Sequence, residues 1–205
     1  MYNNLELRMY GLVPYQLMGI QQGIQYGHAT DEFALKVIKS LMGKSNEIPK
    51  EDIERYVDWL ENWKTYIVLN GGTTNNRIND GVYVGTLNNH KETLDKNGVF
   101  NVSFNEPDLG DQLTGVVFIV DERVFLKDEN RKYVYLDFED WIWENPNPYI
   151  STFNKNDKWF IKTVRKTCKE SSEQHLVHYY NSWVEYMGGE KNVLLRDFLK
   201  DFRLA

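Results

Sequence analysis

GIQQGIQYGHATDEFALKVIKSLMG, residues Gly19 to Gly43, has the length and spacing of one long helix. At about 100° per residue, Gln21, Gln25, His28 and Glu32 share one narrow stripe. Ile20, Ile24, Phe33, Leu35, Val37, Ile38 and Leu41 occupy much of the remaining surface. Gly19, Gly23 and Gly27 form a further ridge. Each helical glycine costs about 1 kcal/mol against alanine, so the ridge predicts close approach by another backbone or a ligand. A polar stripe on an otherwise apolar helix must find partners, since a buried unpaired polar group costs on the order of 1–3 kcal/mol. The plain alternative is a solvated Gln face with an ordinary half-buried histidine.

On either side of this helix the pattern alternates strand and helix. Leu5 to Val13 reads as a strand edged by Pro14. A second helix starts near Pro49 and runs through EDIERYVDWLENW, with proline and early acids as start signals. KTYIVLN (Lys64 to Asn70) is a strand, GGTTNNRINDG a loop, and Val84 to Lys96 a third helix. Val99 to Phe104 and Leu113 to Phe125 read as strands, the latter apolar at its centre and therefore interior. The order β–α–α–β–α–β–β predicts an α/β fold with a mixed four-stranded sheet and helices packed on it, over residues 1–125. Residues 126–205 change texture. An aromatic and acidic stretch, YVYLDFEDWIWENPNPY, precedes two or three helices, and this part is expected to pack on the first as a helical extension.

The bulk numbers exclude several classes. With 205 residues the chain can bury a real core. A net charge of −6 argues against an extended nucleic-acid footprint. Cys168 is the single cysteine, so no intrachain disulfide can form, and an inert buried thiol is expected. No apolar run approaches the roughly 20 residues of a membrane span, and the N-terminus lacks signal-peptide character. A cytoplasmic protein is the expectation. Aromatic residues make up 14% of the chain, enough to supply stacking faces as well as core.

The motif IQQGIQYGHA, the strand KTYIVLN and the segment EPDLGDQLTGVVFIV together resemble the type II peptidyl-tRNA hydrolases, and still more their uncharacterised phage-type members. The matching residues are Gln25, His28 and Ala29, with Asp108 and Thr114 in the later segment. The resemblance spans about Leu7 to Phe125 and implies that fold. Its catalytic lysine falls on Gln21, and an amide cannot act as a charge clamp. The six-residue step from Asp108 to Thr114 is also longer than the four-residue step of the enzymes.

Those departures, with the acidic charge, turn the expectation from catalysis to binding. The resemblance implies an inherited pocket holding a small nucleotide-like ligand, such as a phage protein would use to remove a host signalling nucleotide. Its lining is expected from Gln21, Gln25, His28, Glu32, Gly71, Thr73, Glu106, Asp108 and Thr114, with Tyr26 as a stacking face. The alternative is a hydrolase of a peptidyl- or aminoacyl-nucleotide ester, with His28 or Asp108 positioning water. For Glu106 and Asp108 loop capping competes with ligand contact. His90 is expected on a wet helix face. His175 and His178 lie three apart without a third ligand, so no metal is expected, and no cofactor. A monomer and a homodimer both stay open.

Overall fold

A computed structural model describes residues 5–125, 135–146 and 158–205. The chain divides into two compact units, Met1–Glu122 with Leu194–Ala205, and Arg123–Val193.

The first unit is built on a four-stranded mixed sheet of order β2-β1-β6-β5, formed by β1 (Leu7–Val13), β2 (Thr65–Asn70), β5 (Val102–Glu106) and β6 (Gln112–Asp121). β1 runs parallel to β2, in register from Arg8↔Thr65 to Val13↔Asn70, and antiparallel to β6. β5 closes the far side antiparallel to β6, with a bulge at Phe104/Asn105. The parallel β1–β2 pair demands a crossover, supplied by α1 (Gly19–Leu41) and α2 (Lys50–Asp58). α2 runs into a single π-helical turn, Trp59–Trp63, whose Trp59 donates its indole N–H to Thr65 O at 3.1 Å. The sheet class and the helices on it are as the sequence predicts.

Alternation along β1 sorts side chains to two faces. Met9 and Val13 join Tyr26, Ala29, Phe33 and Val37 of α1, and Tyr56 of α2, in one apolar cluster. Tyr10, on the other face, stacks on Phe118, which in turn meets Phe198. α3 (Thr86–Lys96) and the returning residues Leu194–Ala205 lie on this second side. The last residues cover the free edge of β2. Asn70 N–H donates to Arg203 O at 2.9 Å, Ala205 N–H donates to Val68 O at 3.0 Å, and Leu204 bridges Leu69. An edge strand left bare invites pairing with another chain, and this tail occupies it over residues 68–70.

Two sequence expectations need correction. The segment GGTTNNRINDG is not a plain loop, because Arg77–Asn79 (β3) and Val82–Val84 (β4) pair as a hairpin. Its Asp80-Gly81 turn has positive φ at both residues, 50° and 81°, the form that matches strand twist. Accordingly α3 begins at Thr86 rather than Val84. The glycine ridge of α1 also has no close neighbour: a Cβ built on Gly19, Gly23 or Gly27 meets nothing within 4 Å. Ile20, Ile24, Leu35, Ile38 and Leu41 are exposed beside it, so α1 buries only the arc carrying Phe33 and Val37.

Close approach falls on glycines elsewhere, among them Gly11 in β1. A Cβ there would sit 1.9 Å from Cε2 of Tyr26. The Tyr26 ring fills that gap, is 7% exposed, and donates its hydroxyl to Met9 O at 3.0 Å. Burial pushes its phenol pKa up. Tyr26 is therefore core, not a stacking face for a ligand.

The second unit is helical, with α5 (Phe138–Glu144), α6 (Lys158–Glu170), α7 (Gln174–Tyr186) and the start of α8 (Glu190–Leu199); the short α4 (Glu122–Phe125) leads into it. Phe138, Ile142, Val164, Cys168, Tyr180, Trp183, Met187 and Val193 form its core. Cys168 is 1% exposed and burial raises its thiol pKa to about 11, so it is an unreactive core residue.

Candidate functional site

The polar stripe of α1 meets the β5–β6 turn at one end of the sheet, and Gln25 is the joint. α1 lies so close to β6 there that a Cβ on Gly115 would sit 2.8 Å from Gln25 O. Gln25 is 7% exposed. Its Oε1 accepts from Thr114 Oγ1 at 2.6 Å, and its Nε2 donates to Glu106 Oε2 at 2.6 Å. An amide can both donate and accept, so this one residue ties a fully buried hydroxyl to a carboxylate. Thr114 is wholly buried, which explains why its hydroxyl needs the amide.

Glu106 is held from a second side. Its Oε1 accepts from the backbone N–H of Asp108 at 3.4 Å, capping the short 3₁₀ turn Pro107–Leu109. Loop capping and the Gln25 contact therefore coexist in one carboxylate. His28 stands one turn along α1. Its ring packs on Phe104 at 4.6 Å between centroids, and Nδ1 lies 4.0 Å from Glu106 Oε2. That nitrogen is buried with no hydrogen bond among the described residues, whereas the side chain as a whole is 42% exposed. A buried unpaired ring nitrogen beside a nearly buried carboxylate is costly unless something completes the set.

The structure brings Gln25, His28, Glu106 and Thr114 together. The other expected residues differ. Gln21 is exposed and turns its Oε1 back to accept from Met18 N–H at 3.2 Å, closing the first turn of α1. Glu32 is half-buried along the same stripe, and Asp108 is exposed at the rim. Gly71 and Thr73 serve the turn after β2. A Cβ on Gly71 would meet Leu87 at 2.8 Å and Leu12 at 2.9 Å. Thr73 and Thr86 exchange bonds: Thr73 N–H donates to Thr86 Oγ1 at 2.8 Å, and Thr86 N–H to Thr73 Oγ1 at 3.2 Å. This lock sets the start of α3. The adjacent Thr74 hydroxyl, 1% exposed with its residue, donates to Leu113 O at 2.5 Å.

Sequence reasoning missed a cavity of about 440 Å³ on the second face, lined by Tyr15, Asn70, Gly72, His90, Phe198, Asp201, Phe202 and Arg203. It lies where β1 and β2 end, a common place for ligands in α/β sheets. His90 is not on a wet helix face. It is half-buried edge-on against Phe198 (5.7 Å) and Phe202 (4.9 Å), and burial lowers its pKa. No sequence signal marks the cavity, because half its lining arrives from the C-terminal tail.

Among the described residues no group of three or more His, Cys, Asp and Glu could hold a metal ion, and no helix is long and apolar enough to cross a membrane. His175 Nε2 instead lies 3.2 Å from Glu173 Oε2, and His178 is exposed. No family model matches the chain, and no curated protein or solved structure matches it.

Proposed function

We propose that the first unit binds a small nucleotide-like molecule at the Gln25–His28–Glu106 corner without transforming it. On this reading the fold is that of the peptidyl-tRNA hydrolase-like family the sequence resembles, with its catalytic lysine replaced. The single observation that carries the reading is the preorganised pair at the corner. Glu106 is gripped by Gln25 and the Asp108 amide, and the unbonded Nδ1 of His28 stands 4.0 Å away. Carboxylates accept from ribose hydroxyls and exocyclic amines, and the exposed edge of His28 offers a further polar contact. Asp108 and Glu32 add acceptors at the rim. Binding without chemistry follows from Gln21: its amide carries no charge and already serves Met18. A protein of this kind in a phage would sequester a host signalling nucleotide.

The test is a thermal-shift screen with mononucleotides, dinucleotides and cyclic nucleotides, followed by chromatography of the ligand after denaturation. A ligand that prefers the folded state raises the melting temperature, by RT ln(1 + [L]/Kd) in free energy. The reading expects a shift with at least one nucleotide, its recovery unchanged, and loss of the shift in Glu106→Gln. No shift with any nucleotide would overturn it.

The His28–Glu106 proximity also supports a second reading, hydrolysis of an aminoacyl- or peptidyl-nucleotide ester, with His28 as base for a water. That reading predicts turnover abolished by His28→Ala or Asp108→Ala.

A further inference from the structure

The cavity at the ends of β1 and β2 carries chemistry of its own and does not rest on the corner described above. Its volume, about 440 Å³, falls within the roughly 300–1,000 Å³ of small-molecule sites. Its walls are the strand ends, α3 and the C-terminal tail of the first unit. Tyr15 N–H is bound to Gly72 O at 2.9 Å, and Asn70 N–H to Arg203 O at 2.9 Å, so the strand ends and the tail are fastened to one another. Gly72, at φ 90°, leaves room for Thr86, whose Oγ1 would lie 2.0 Å from a Cβ there.

What the walls present is unspent. Asn70 gives its Oδ1 to Gly72 N–H at 2.9 Å, leaving Nδ2 without an acceptor among the described residues. The ring nitrogens of His90, the Asp201 carboxylate and the Arg203 guanidinium likewise have no hydrogen bond or ion pair among the described residues. Between these polar groups lie the half-buried rings of Phe198 and Phe202, packed on one another at 4.9 Å and on His90. Asp201 and Arg203 sit on one rim, two residues apart, and do not pair with each other.

An aromatic wall with an unspent guanidinium on its rim suits one ligand chemistry. The ring of the ligand would lie on Phe202 and His90, its anionic group would take the planar fork of Arg203, and a donor would reach Asp201. We propose that this cavity binds a small aromatic molecule bearing an anionic group, through ring contact with Phe202 and His90 and a charge-assisted bond to Arg203. Two sources share that chemistry, a nucleoside monophosphate and an aromatic amino acid.

Two matched pairs of probes test it: AMP against adenosine, and L-tryptophan against tryptamine. Each pair keeps the ring and removes the anionic group. Binding is read from the His90 ring resonances in an NMR titration of the full chain, His90 being one of only 4 histidines. Concentrations up to ~10 mM cover affinities an order weaker than millimolar. The expected result is that AMP or L-tryptophan shifts His90, that its partner lacking the anionic group binds at least tenfold more weakly, and that Arg203→Gln removes the difference. Glu106→Gln leaves the titration unchanged, which separates this cavity from the α1 corner. Arg203 is exposed and, among the described residues, bonds β2 through its backbone, so Arg203→Gln keeps the fold. An AMP response with no tryptophan response identifies the phosphate source, and the reverse identifies the amino acid. If neither AMP nor L-tryptophan moves His90, or if the preference for the anionic group survives Arg203→Gln, the proposal is overturned.

Discussion

Thr114→Val isolates the hydrogen bond on which the α1 corner is built. Valine keeps the volume and the branched shape but has no hydroxyl. In the native protein the Thr114 hydroxyl is fully buried and donates to Gln25 Oε1 at 2.6 Å. The substitution leaves that oxygen without its donor in a residue only 7% exposed. The expected loss is about 1–3 kcal/mol, the usual cost of an unsatisfied buried acceptor. Gln25→Met frees both Thr114 and Glu106 and should cost a similar amount. The double variant has no stranded carbonyl, so its loss should fall short of the sum by about 0.5–2 kcal/mol. Because the chain forms two compact units, a single global unfolding energy is ill defined. Hydrogen exchange at the β5 and β6 amides reads the local free energy directly. A Thr114→Val loss under about 0.5 kcal/mol, or strict additivity in the double variant, would refute the argument that Gln25 is the structural joint.

Gly11→Ala should destabilise the first unit by about 2–4 kcal/mol, combining overpacking with loss of the Tyr26–Met9 bond. In calorimetry, adding Tyr26→Leu should cost less in that background than in the wild type, since the clash is with the Tyr26 ring. His90 has a lowered pKa in the folded state, so the folded state binds fewer protons than the unfolded one near pH 6. The His90 contribution to stability is therefore present above about pH 6.5 and lost as pH falls below it. Melting curves from pH 7.5 to 5 should drop less steeply in His90→Gln than in the wild type, and equal slopes would contradict this. Cys168, with its thiol pKa raised to about 11, should resist a thiol reagent at pH 8 until denaturant is added; rapid reaction in the native protein would show the thiol is accessible.

Much of the first unit is legible in the chain because its signals are local. β1, β2 and β6 declare themselves as apolar runs, and α1 and α2 by period and start signals. The β3–β4 hairpin is not so marked. Its strands have three residues each and are largely exposed, so no alternation survives, and only Asn79-Asp80-Gly81 hints at the turn. Periodicity finds apolar residues around much of α1 but cannot tell which of them are covered. Phe33 and Val37 are buried, and Ile20 and Ile38 are not.

The candidate site was legible only in part for a similar reason. Gln25, His28, Glu106 and Thr114 were readable as a set through the resemblance, whereas their bonds join positions 81 and 89 residues apart. Gly71 and Thr73 stand in a glycine-rich turn that reads as ligand-facing, yet their contacts are spent on Leu12, Leu87 and Thr86. The return of Arg203 to the edge of β2 is a backbone pairing, and backbone groups are the same in every residue. For that reason the tail, and the cavity it helps to form, left no trace in the sequence.

The most direct measurement of the central claim is mass spectrometry of small molecules carried by the purified chain after incubation with a nucleotide-rich extract, run side by side with His28→Ala and Glu106→Gln. The account predicts a nucleotide-like mass released intact from the wild type and from Arg203→Gln, which disarms the second cavity, and absent from both variants when each also carries Arg203→Gln. Recovery of no such molecule, or its equal retention by the two variants, would contradict a binding role for the corner of α1, β5 and β6.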